Sequence, residues 1–244
     1  MKLINYIQGS LFRIVFLFTI LIFHPIQWLT YNLLGARAQE KLIYALNAIL
    51  TYSIQFFGNK IQFTNEYELP VDRPLIFMAN HQSMWDIVGI YWFLRAYRPV
   101  FVSKVELKKG IPSISYNLRK SGAAFVDLED KKETIRDILK LSQKIADENR
   151  AAVIFPEGRR SRDGVLKEFA YGGVTALLKK APKALIVPIT VQGTGAITAR
   201  KYKIHTGKQV SWTVMEPFEI GDLAIPEITE KARAAIAVEL GQQP

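Results

Sequence analysis

Short apolar runs alternate with helical patterns from about residue 59 to the end of the chain. Apolar runs of five to eight positions predict strands, at Pro74–Ala79, Pro99–Lys104, Ala123–Leu128, Ala151–Phe155 and Ala184–Val191. The segments that follow them predict helices, at Asp86–Ala96, Lys132–Glu148, Gly172–Ala181 and Ile228–Leu240. Gln209–Glu219 is predicted to be a further strand or an edge hairpin. This alternation predicts an α/β domain with a mainly parallel sheet flanked by helices.

The first 58 residues follow a different pattern, which is apolar on nearly every side. Leu11–Leu34 predicts a helix with a kink near Pro25, and Gln39–Phe57 predicts a second, amphipathic helix. The uninterrupted apolar core, residues 14–23, is short of the ~20 residues that a membrane-spanning helix needs. We expect two helices that dip into or cross a membrane, with a hairpin packed on a soluble core as the alternative. The predicted division is a membrane-associated segment, 1–58, and a folded domain, 59–244.

Charge and cysteine content narrow the classes of function. The net charge of +10 in 244 residues favours anionic partners such as phosphates or acidic lipid surfaces. The chain has no cysteine, which excludes disulfides, thiolate metal sites and a cysteine nucleophile. We expect no metal, because neither His24 nor His205 has partners at metal-ligand spacing. A nucleic-acid-binding protein is compatible with the charge, but no nucleic-acid motif is present.

One histidine follows the first predicted strand. In "NHQSMWD", His81 and Asp86 are five positions apart, so on one regular helix their side chains would diverge. They can meet if His81 lies in the turn before the helix and Asp86 in its first turns. Asp86 would then accept a hydrogen bond from one imidazole nitrogen and leave the other free as a general base. The alternative, equally compatible with the spacing, is that Asn80 caps the helix beside a buried, satisfied histidine.

An arginine-rich turn follows the strand that ends at Phe155. The stretch "FPEGRRSRDGVLKEF" places Glu157 and Gly158 beside the cations Arg159, Arg160, Arg162 and Lys167. Guanidinium groups bind phosphate through two hydrogen bonds. Ligands of parallel sheets gather at the carboxyl ends of strands, where the His81 turn also lies. We therefore interpret this turn as an anion site.

The sequence offers no protein nucleophile for covalent catalysis. It has no G-x-S-x-G elbow, and Ser83 is only two positions from His81, where helical side chains point apart. Gly193–Gly195 is interpreted as a glycine turn, since it fits no nucleotide-binding motif. The hydroxyl that His81 would activate is therefore expected to belong to a substrate. Together with an anion site and apolar helices, this favours acyl transfer onto a lysophospholipid.

About half of the chain, Pro74 to Gly193, resembles the glycerolipid acyltransferases of the 1-acylglycerol-3-phosphate acyltransferase type. The motif blocks of that family occur in order, as Asn80, His81 and Asp86; Lys104, Glu106, Leu107 and Gly110–Pro112; Gly122 and Phe125–Asp127; Phe155–Gly158, Arg160 and Ser161; and Val187–Ile189. Two positions depart from the pattern. Leu128 stands where the family has an arginine that helps to hold the acceptor phosphate, and Arg159 stands where it has a threonine.

The resemblance implies a one-step reaction and a set of roles. His81 deprotonates the glycerol hydroxyl and Asp86 orients His81. Lys104, Arg159 and Arg160 bind phosphate, with Arg159 or Lys131 standing in for the missing arginine, and Glu157 and Gly158 shape the acceptor site. The acyl donor is acyl-CoA or acyl carrier protein, and no cofactor is expected. The resemblance further implies a membrane enzyme with its catalytic domain on the cytoplasmic face. The alternatives are another lysophospholipid acceptor, or a membrane-associated thioesterase or lipase-like hydrolase.

Overall fold

The fold centres on one sheet. The computed structural model describes residues 2–127, 129–161, 163–198 and 205–243. Within these residues the strands are β1 (Lys60–Thr64), β2 (Leu75–Ala79), β3 (Val100–Lys104), β4 (Ala124–Val126), β5 (Ala151–Ile154), β6 (Leu185–Gln192) and β7 (Gln209–Val214). The helices are α1 (Lys2–Phe56), α2 (Trp85–Phe93), α3 (Ile114–Ser121), α4 (Lys131–Glu148), α5 (Gly172–Leu178), α6 (Thr194–Thr198) and α7 (Ile225–Glu239).

The sheet order is β1–β7–β6–β2–β5–β3–β4, and every neighbouring pair is parallel except β6 and β7. The central strand β2 is buried on both faces, which explains its continuous apolar sequence. Leu75 and Phe77 pack with α1 and α2, whereas Ile76 and Met78 pack with α4, α5 and α7. The prediction of a mainly parallel sheet flanked by helices is confirmed. Its geometry brings the carboxyl ends of β2, β5, β3 and β6 to one edge.

On the far side of the sheet, one of the two alternatives predicted for Gln209–Glu219 is confirmed. The segment contains a strand, β7 (Gln209–Val214), which is not at an edge because it lies between β6 and β1. The chain does return after β7, where Phe218 pairs with Ile186. The true edge strand on this side, β1, was not predicted, because three of its five residues are polar. It is held by parallel pairing with β7.

The N-terminal segment forms helix up to Phe56, and its interruption is not at Pro25. Pro25 lies within α1, and the only non-helical backbone is at Gly35, with φ 82° and ψ −179°. A positive φ of this kind is accessible mainly to glycine, so the break lies at Gly35, and the kink near Pro25 stays a prediction. After the break, Leu50 and Ile54 are fully buried in the same core as β2. The proposed division of the chain at residue 58 stays a prediction.

Polar side chains also attach the first half of α1 to the domain. The Ser113 backbone N–H donates to His24 Nδ1 at 3.0 Å, and Gln27 donates to the Ser113 hydroxyl. Ser113 has φ 64° and ψ −55°, in a three-residue turn closed by the Ile114 N–H and the Pro112 carbonyl at 2.6 Å. Such turns are strained for a residue with a Cβ and persist where neighbours hold them. The two contacts from α1 hold this one.

Candidate active site

His81 and Asp86 meet in the turn between β2 and α2. The His81 Nδ1 and Asp86 Oδ2 atoms are 2.7 Å apart, with His81 in the turn and Asp86 in the first turn of α2. The buried carboxylate accepts, so Nδ1 carries the proton and Nε2 keeps its lone pair. The histidine side chain is 14% exposed, whereas that of Asp86 is fully buried. The geometry that the spacing required is therefore present, with the free nitrogen available as a base.

Asp86 is held by the backbone of its own turn. Its Oδ2 atom also accepts from the Gln82 and Ser83 N–H groups, at 2.6 and 2.9 Å. From β7, the indole N–H of Trp212 donates to the Asp86 backbone carbonyl at 3.0 Å. The two backbone N–H donors hold one oxygen of the carboxylate, Oδ2, in place. Oδ2 is thus positioned where it meets the imidazole.

Asn80 does not cap α2, so that alternative interpretation was wrong. Its side chain pairs with Val191 of β6, donating to the carbonyl at 2.8 Å and accepting from the N–H at 2.7 Å. These two bonds replace strand pairing where β2 ends at Ala79. The result is a fixed starting point for the turn that carries His81.

The imidazole lies against an aromatic ring from the neighbouring strand. Phe155, directly after β5, stacks on His81 with ring centroids 4.2 Å apart and an angle of 22°. The stacking restricts rotation of the ring and shields one of its faces from water. Phe155 was predicted only as part of a strand and a motif. Its packing role could not be inferred without knowing that β5 lies beside β2.

Glu157 connects the arginine-rich turn to the turn that carries His81. Its Oε1 accepts from the His81 N–H at 2.7 Å, and its Oε2 accepts from the Lys167 N–H at 3.3 Å. The Ser161 N–H completes the connection by donating to the His81 carbonyl at 2.7 Å. Each carboxylate oxygen of Glu157 therefore accepts a hydrogen bond from a backbone N–H group. The role in shaping the acceptor site that the resemblance implies for Glu157 stays a prediction.

The environment of Glu157 makes the stability of the protein depend on pH. Burial raises the pKa of Glu157 to about 7, against the opposing effects of the two backbone N–H groups and Lys167. The folded state thus binds the Glu157 carboxyl proton more tightly than the unfolded state, in which the pKa of this group is near 4.5. Stability from this group is fully present below pH ~4.5 and is lost as the pH rises to about 7.

We therefore expect this group to lower the free energy of unfolding by roughly 2–3 kcal/mol between pH 5 and pH 8. Chemical denaturation of the native protein and of Glu157→Gln across that range isolates the contribution. The free energy of unfolding of the native protein, relative to that of Glu157→Gln, should fall as the pH rises. Parallel pH profiles would contradict the assignment.

The predicted cations lie at the same edge but do not contact the pair. Gly158 has φ 66°, which turns the chain so that Arg159 and Arg160 are exposed. Lys104 is exposed at the end of β3, separated from β2 by β5. Across the described ranges, no hydrogen bond or ion pair joins these three cations to His81 or Asp86. Leu128 and Arg162 lie outside the described residues.

No protein hydroxyl bonds to His81 in the part of the chain that the structure describes. The Ser83 hydroxyl instead accepts from the Trp85 N–H at 3.1 Å. The same residues contain no group of three or more His, Asp or Glu side chains placed to hold a metal ion. The site therefore presents a base with a free nitrogen, an adjacent basic turn and no serine partner.

The chain has relatives among known proteins. Residues 60–192 match the family model described as Acyltransferase. That match covers more than half of the chain, which therefore belongs to the acyltransferase family. The resemblance drawn from the motif blocks is confirmed at this level.

Individual relatives carry more specific names. The chain is 28% identical over 173 residues to a 1-acyl-sn-glycerol-3-phosphate acyltransferase of Chlamydomonas reinhardtii, covering 70% of this chain and 50% of the relative. It is 32% identical over 126 residues to the chloroplastic 1-acyl-sn-glycerol-3-phosphate acyltransferase LPAT1 of Arabidopsis thaliana, covering 52% and 34%. The chain thus spans half or less of the length of these two relatives.

A solved structure has the same fold along almost the whole chain. The 1-acyl-sn-glycerophosphate acyltransferase PlsC from Thermotoga maritima superposes with a TM-score of 0.82 at 20% identity. The match covers 98% of this chain and 96% of that chain, so it includes the long N-terminal helix. The fold, with its N-terminal helical segment, is therefore shared.

Proposed function

We propose that this protein transfers a fatty acyl group from an acyl thioester to the free hydroxyl of a lysophospholipid. The acceptor that we propose is 1-acylglycerol-3-phosphate, which gives phosphatidate. The observation that carries the proposal is the His81–Asp86 pair, whose Nε2 is free and bonds to no protein hydroxyl in the described residues. Relatives named as acyltransferases for this acceptor support the choice of substrate.

The geometry accounts for each proton in such a reaction. His81 Nε2 takes the proton from the acceptor hydroxyl as its oxygen bonds to the thioester carbonyl carbon. Asp86 holds the imidazole in the required tautomer and stabilises the imidazolium that forms. When the tetrahedral intermediate collapses, the carbon–sulfur bond breaks and His81 returns the proton to the leaving thiolate. The products are the ester and a free thiol, and His81 is again neutral.

Arg160 is the cation that we assign to the acceptor phosphate, together with Arg159 and Lys104. Its carbonyl accepts from Lys167 Nζ at 2.8 Å, its guanidinium is exposed, and the next residue, Ser161, donates its N–H to the His81 carbonyl. Losing a charge-assisted hydrogen bond costs ~1.5–3 kcal/mol. Arg160→Ala should therefore raise KM for the acceptor about 10- to 100-fold, with little change in KM for the acyl donor.

A matched control for Arg160 exists at the opposite edge of the sheet. Arg73 precedes β2 and is partly buried, with an ion pair to Glu219. Arg73→Ala should leave KM for the acceptor within about twofold, because Arg73 lies at the amino end of β2 and His81 follows its carboxyl end. An equal rise in KM for both substrates in Arg160→Ala would argue against its assignment to the acceptor phosphate.

The outward face of α1 supports a location at a lipid bilayer. The described chain contains one helix that is long and apolar enough to cross a membrane by length and composition. Large apolar side chains of that helix are exposed along its first half, at Leu11, Ile14, Leu17, Phe18, Leu21, Ile22, Ile26, Leu29, Leu33 and Leu34. Surfaces of this kind bind lipid or another protein. We propose that α1 rests in the membrane with the catalytic edge on the cytoplasmic face, where acyl-CoA and acyl carrier protein are found.

Product analysis tests the proposed reaction. The purified protein in phospholipid vesicles is offered a labelled long-chain acyl-CoA, or the same acyl chain on acyl carrier protein, with a panel of lysolipids. Diacyl product that forms fastest with lysophosphatidate supports the proposal and identifies the donor. A faster reaction with another lysolipid would identify that lysolipid as the acceptor in place of lysophosphatidate. Free fatty acid without diacyl product, even at saturating lysolipid, would overturn the proposal in favour of a hydrolase.

A further inference from the structure

The G-T-G stretch after β6, which the sequence presents only as a glycine turn, lies against the catalytic pair. The Thr194 hydroxyl donates a hydrogen bond to Asp86 Oδ1. Oδ1 is the oxygen that His81 does not use, since the imidazole and two backbone N–H groups all bond to Oδ2. Thr194 and Asp86 are both completely buried, so water does not compete for this bond. The two carboxylate oxygens are thus fixed from opposite sides.

The flanking glycines are what allow the threonine to reach the carboxylate. Gly193 has φ 83°, and a Cβ there would lie 2.1 Å from the Gln209 carbonyl oxygen, so only glycine fits where the chain leaves β6. The Gly195 N–H faces the Gln82 side-chain oxygen at 3.4 Å, and a Cβ at Gly195 would be 3.3 Å from Gln82 Cβ. The stretch 193–195 therefore packs closely on the turn that contains His81 and Asp86.

We infer that Thr194 is a positioning residue of the active site, which fixes the Asp86 carboxylate so that Asp86 can orient His81. The reacting unit is then a Thr–Asp–His chain of hydrogen bonds built from the turns after β6 and β2. The inference rests on the proposed function, because it requires His81 to act as the base. Without the threonine, one buried carboxylate oxygen loses a donor and the carboxylate can rotate about its bond to Cβ.

Two substitutions separate this role from packing. Thr194→Val keeps the shape and removes the hydroxyl, whereas Thr194→Ser keeps the hydroxyl and removes a methyl group. We expect Thr194→Val to lower kcat about 10- to 100-fold with KM for both substrates within about twofold. Thr194→Ser should retain kcat within about threefold. Thermal unfolding of both variants shows whether each is folded at the assay temperature.

A spectroscopic readout keeps the test independent of the acceptor. The proton on His81 Nδ1, assigned by its loss in His81→Gln, is observed by NMR in the native protein and in both Thr194 variants. The expected result is a shifted or broadened resonance in Thr194→Val and a native one in Thr194→Ser. Native kcat with a native resonance in Thr194→Val would overturn the inference. So would equal losses in the two variants, which would indicate packing alone.

The two proposals can fail separately. If the native protein acylates no lysolipid, the proposed function fails, and the His81 resonance still decides whether Thr194 fixes the Asp86–His81 pair.

Discussion

Replacement of His81 by alanine is expected to lower kcat/KM about 10²- to 10⁴-fold, which is the range that a general base contributes. His81 is the only group in the described site with a free basic nitrogen held by a buried carboxylate. Its loss leaves Asp86 without a group to orient, and nothing else in the turn can take the proton of the acceptor. Initial rates with labelled acyl donor, together with circular dichroism and vesicle binding, measure the effect.

The controls distinguish chemistry from folding. Because His81 also stacks on Phe155, His81→Asn, which retains a polar planar side chain but not the reactive imidazole, should be as inactive as His81→Ala. His205 is a second histidine, and its described contact is a backbone bond to the Ile197 carbonyl. His205→Ala should keep activity within about twofold. A His81→Ala protein that is folded, bound to vesicles and active would refute the mechanism.

Substitution of Gly89 by alanine should be a strongly damaging single-methyl change. A Cβ at Gly89 would lie 2.1 Å from the indole ring of Trp212, a side chain that is fully buried. The ring must move, which disturbs its 3.0 Å bond to the Asp86 carbonyl as well as its packing. Overpacking of this kind costs ~1–3 kcal/mol or more. Chemical denaturation should show that loss, and the activity of the remaining folded protein should fall with it.

Gly172 provides the matched control for Gly89. It begins α5, and a Cβ there would meet no atom within 4 Å. Gly172→Ala should be neutral or stabilise the protein by up to ~1 kcal/mol, because alanine favours helix. If Gly89→Ala and Gly172→Ala were equally stable, the inference that Gly89 packs closely against Trp212 would be refuted.

The central sheet and the contact between His81 and Asp86 could be predicted from patterns within the sequence. Strands buried on both faces appear as uninterrupted apolar runs, as in 151–155, and β5 occupies that position. The pair could be inferred because a turn before a helix lets His81 and Asp86 meet, although the spacing alone was equally compatible with a capping Asn80. The strands needed only neighbouring residues, whereas the pair was favoured by the arginine-rich turn that follows another strand.

What was missed depends on contacts between distant parts of the chain. Helix α3 was not predicted, and its eight residues carry four polar or charged side chains besides two serines. Thr194 is 108 positions from Asp86, and only the parallel pairing of β2 with β6 makes them neighbours. The break at Gly35 follows from a positive φ, which a glycine permits but does not require. In each case tertiary context decided between local options of similar energy.

The burial of Leu50 and Ile54 beneath β2 has a consequence for anyone who wishes to handle this protein in water. The apolar N-terminal helix is exposed on one face and buried in the core on the other. Removing it would therefore expose the core under β2, the strand that leads to His81. Polar residues can instead be introduced where α1 faces outward, at sites such as Phe18 and Leu33, which are 63% and 75% exposed. Solubility should therefore be increased by polar substitutions on the exposed face of α1, with the residues of its buried face unchanged.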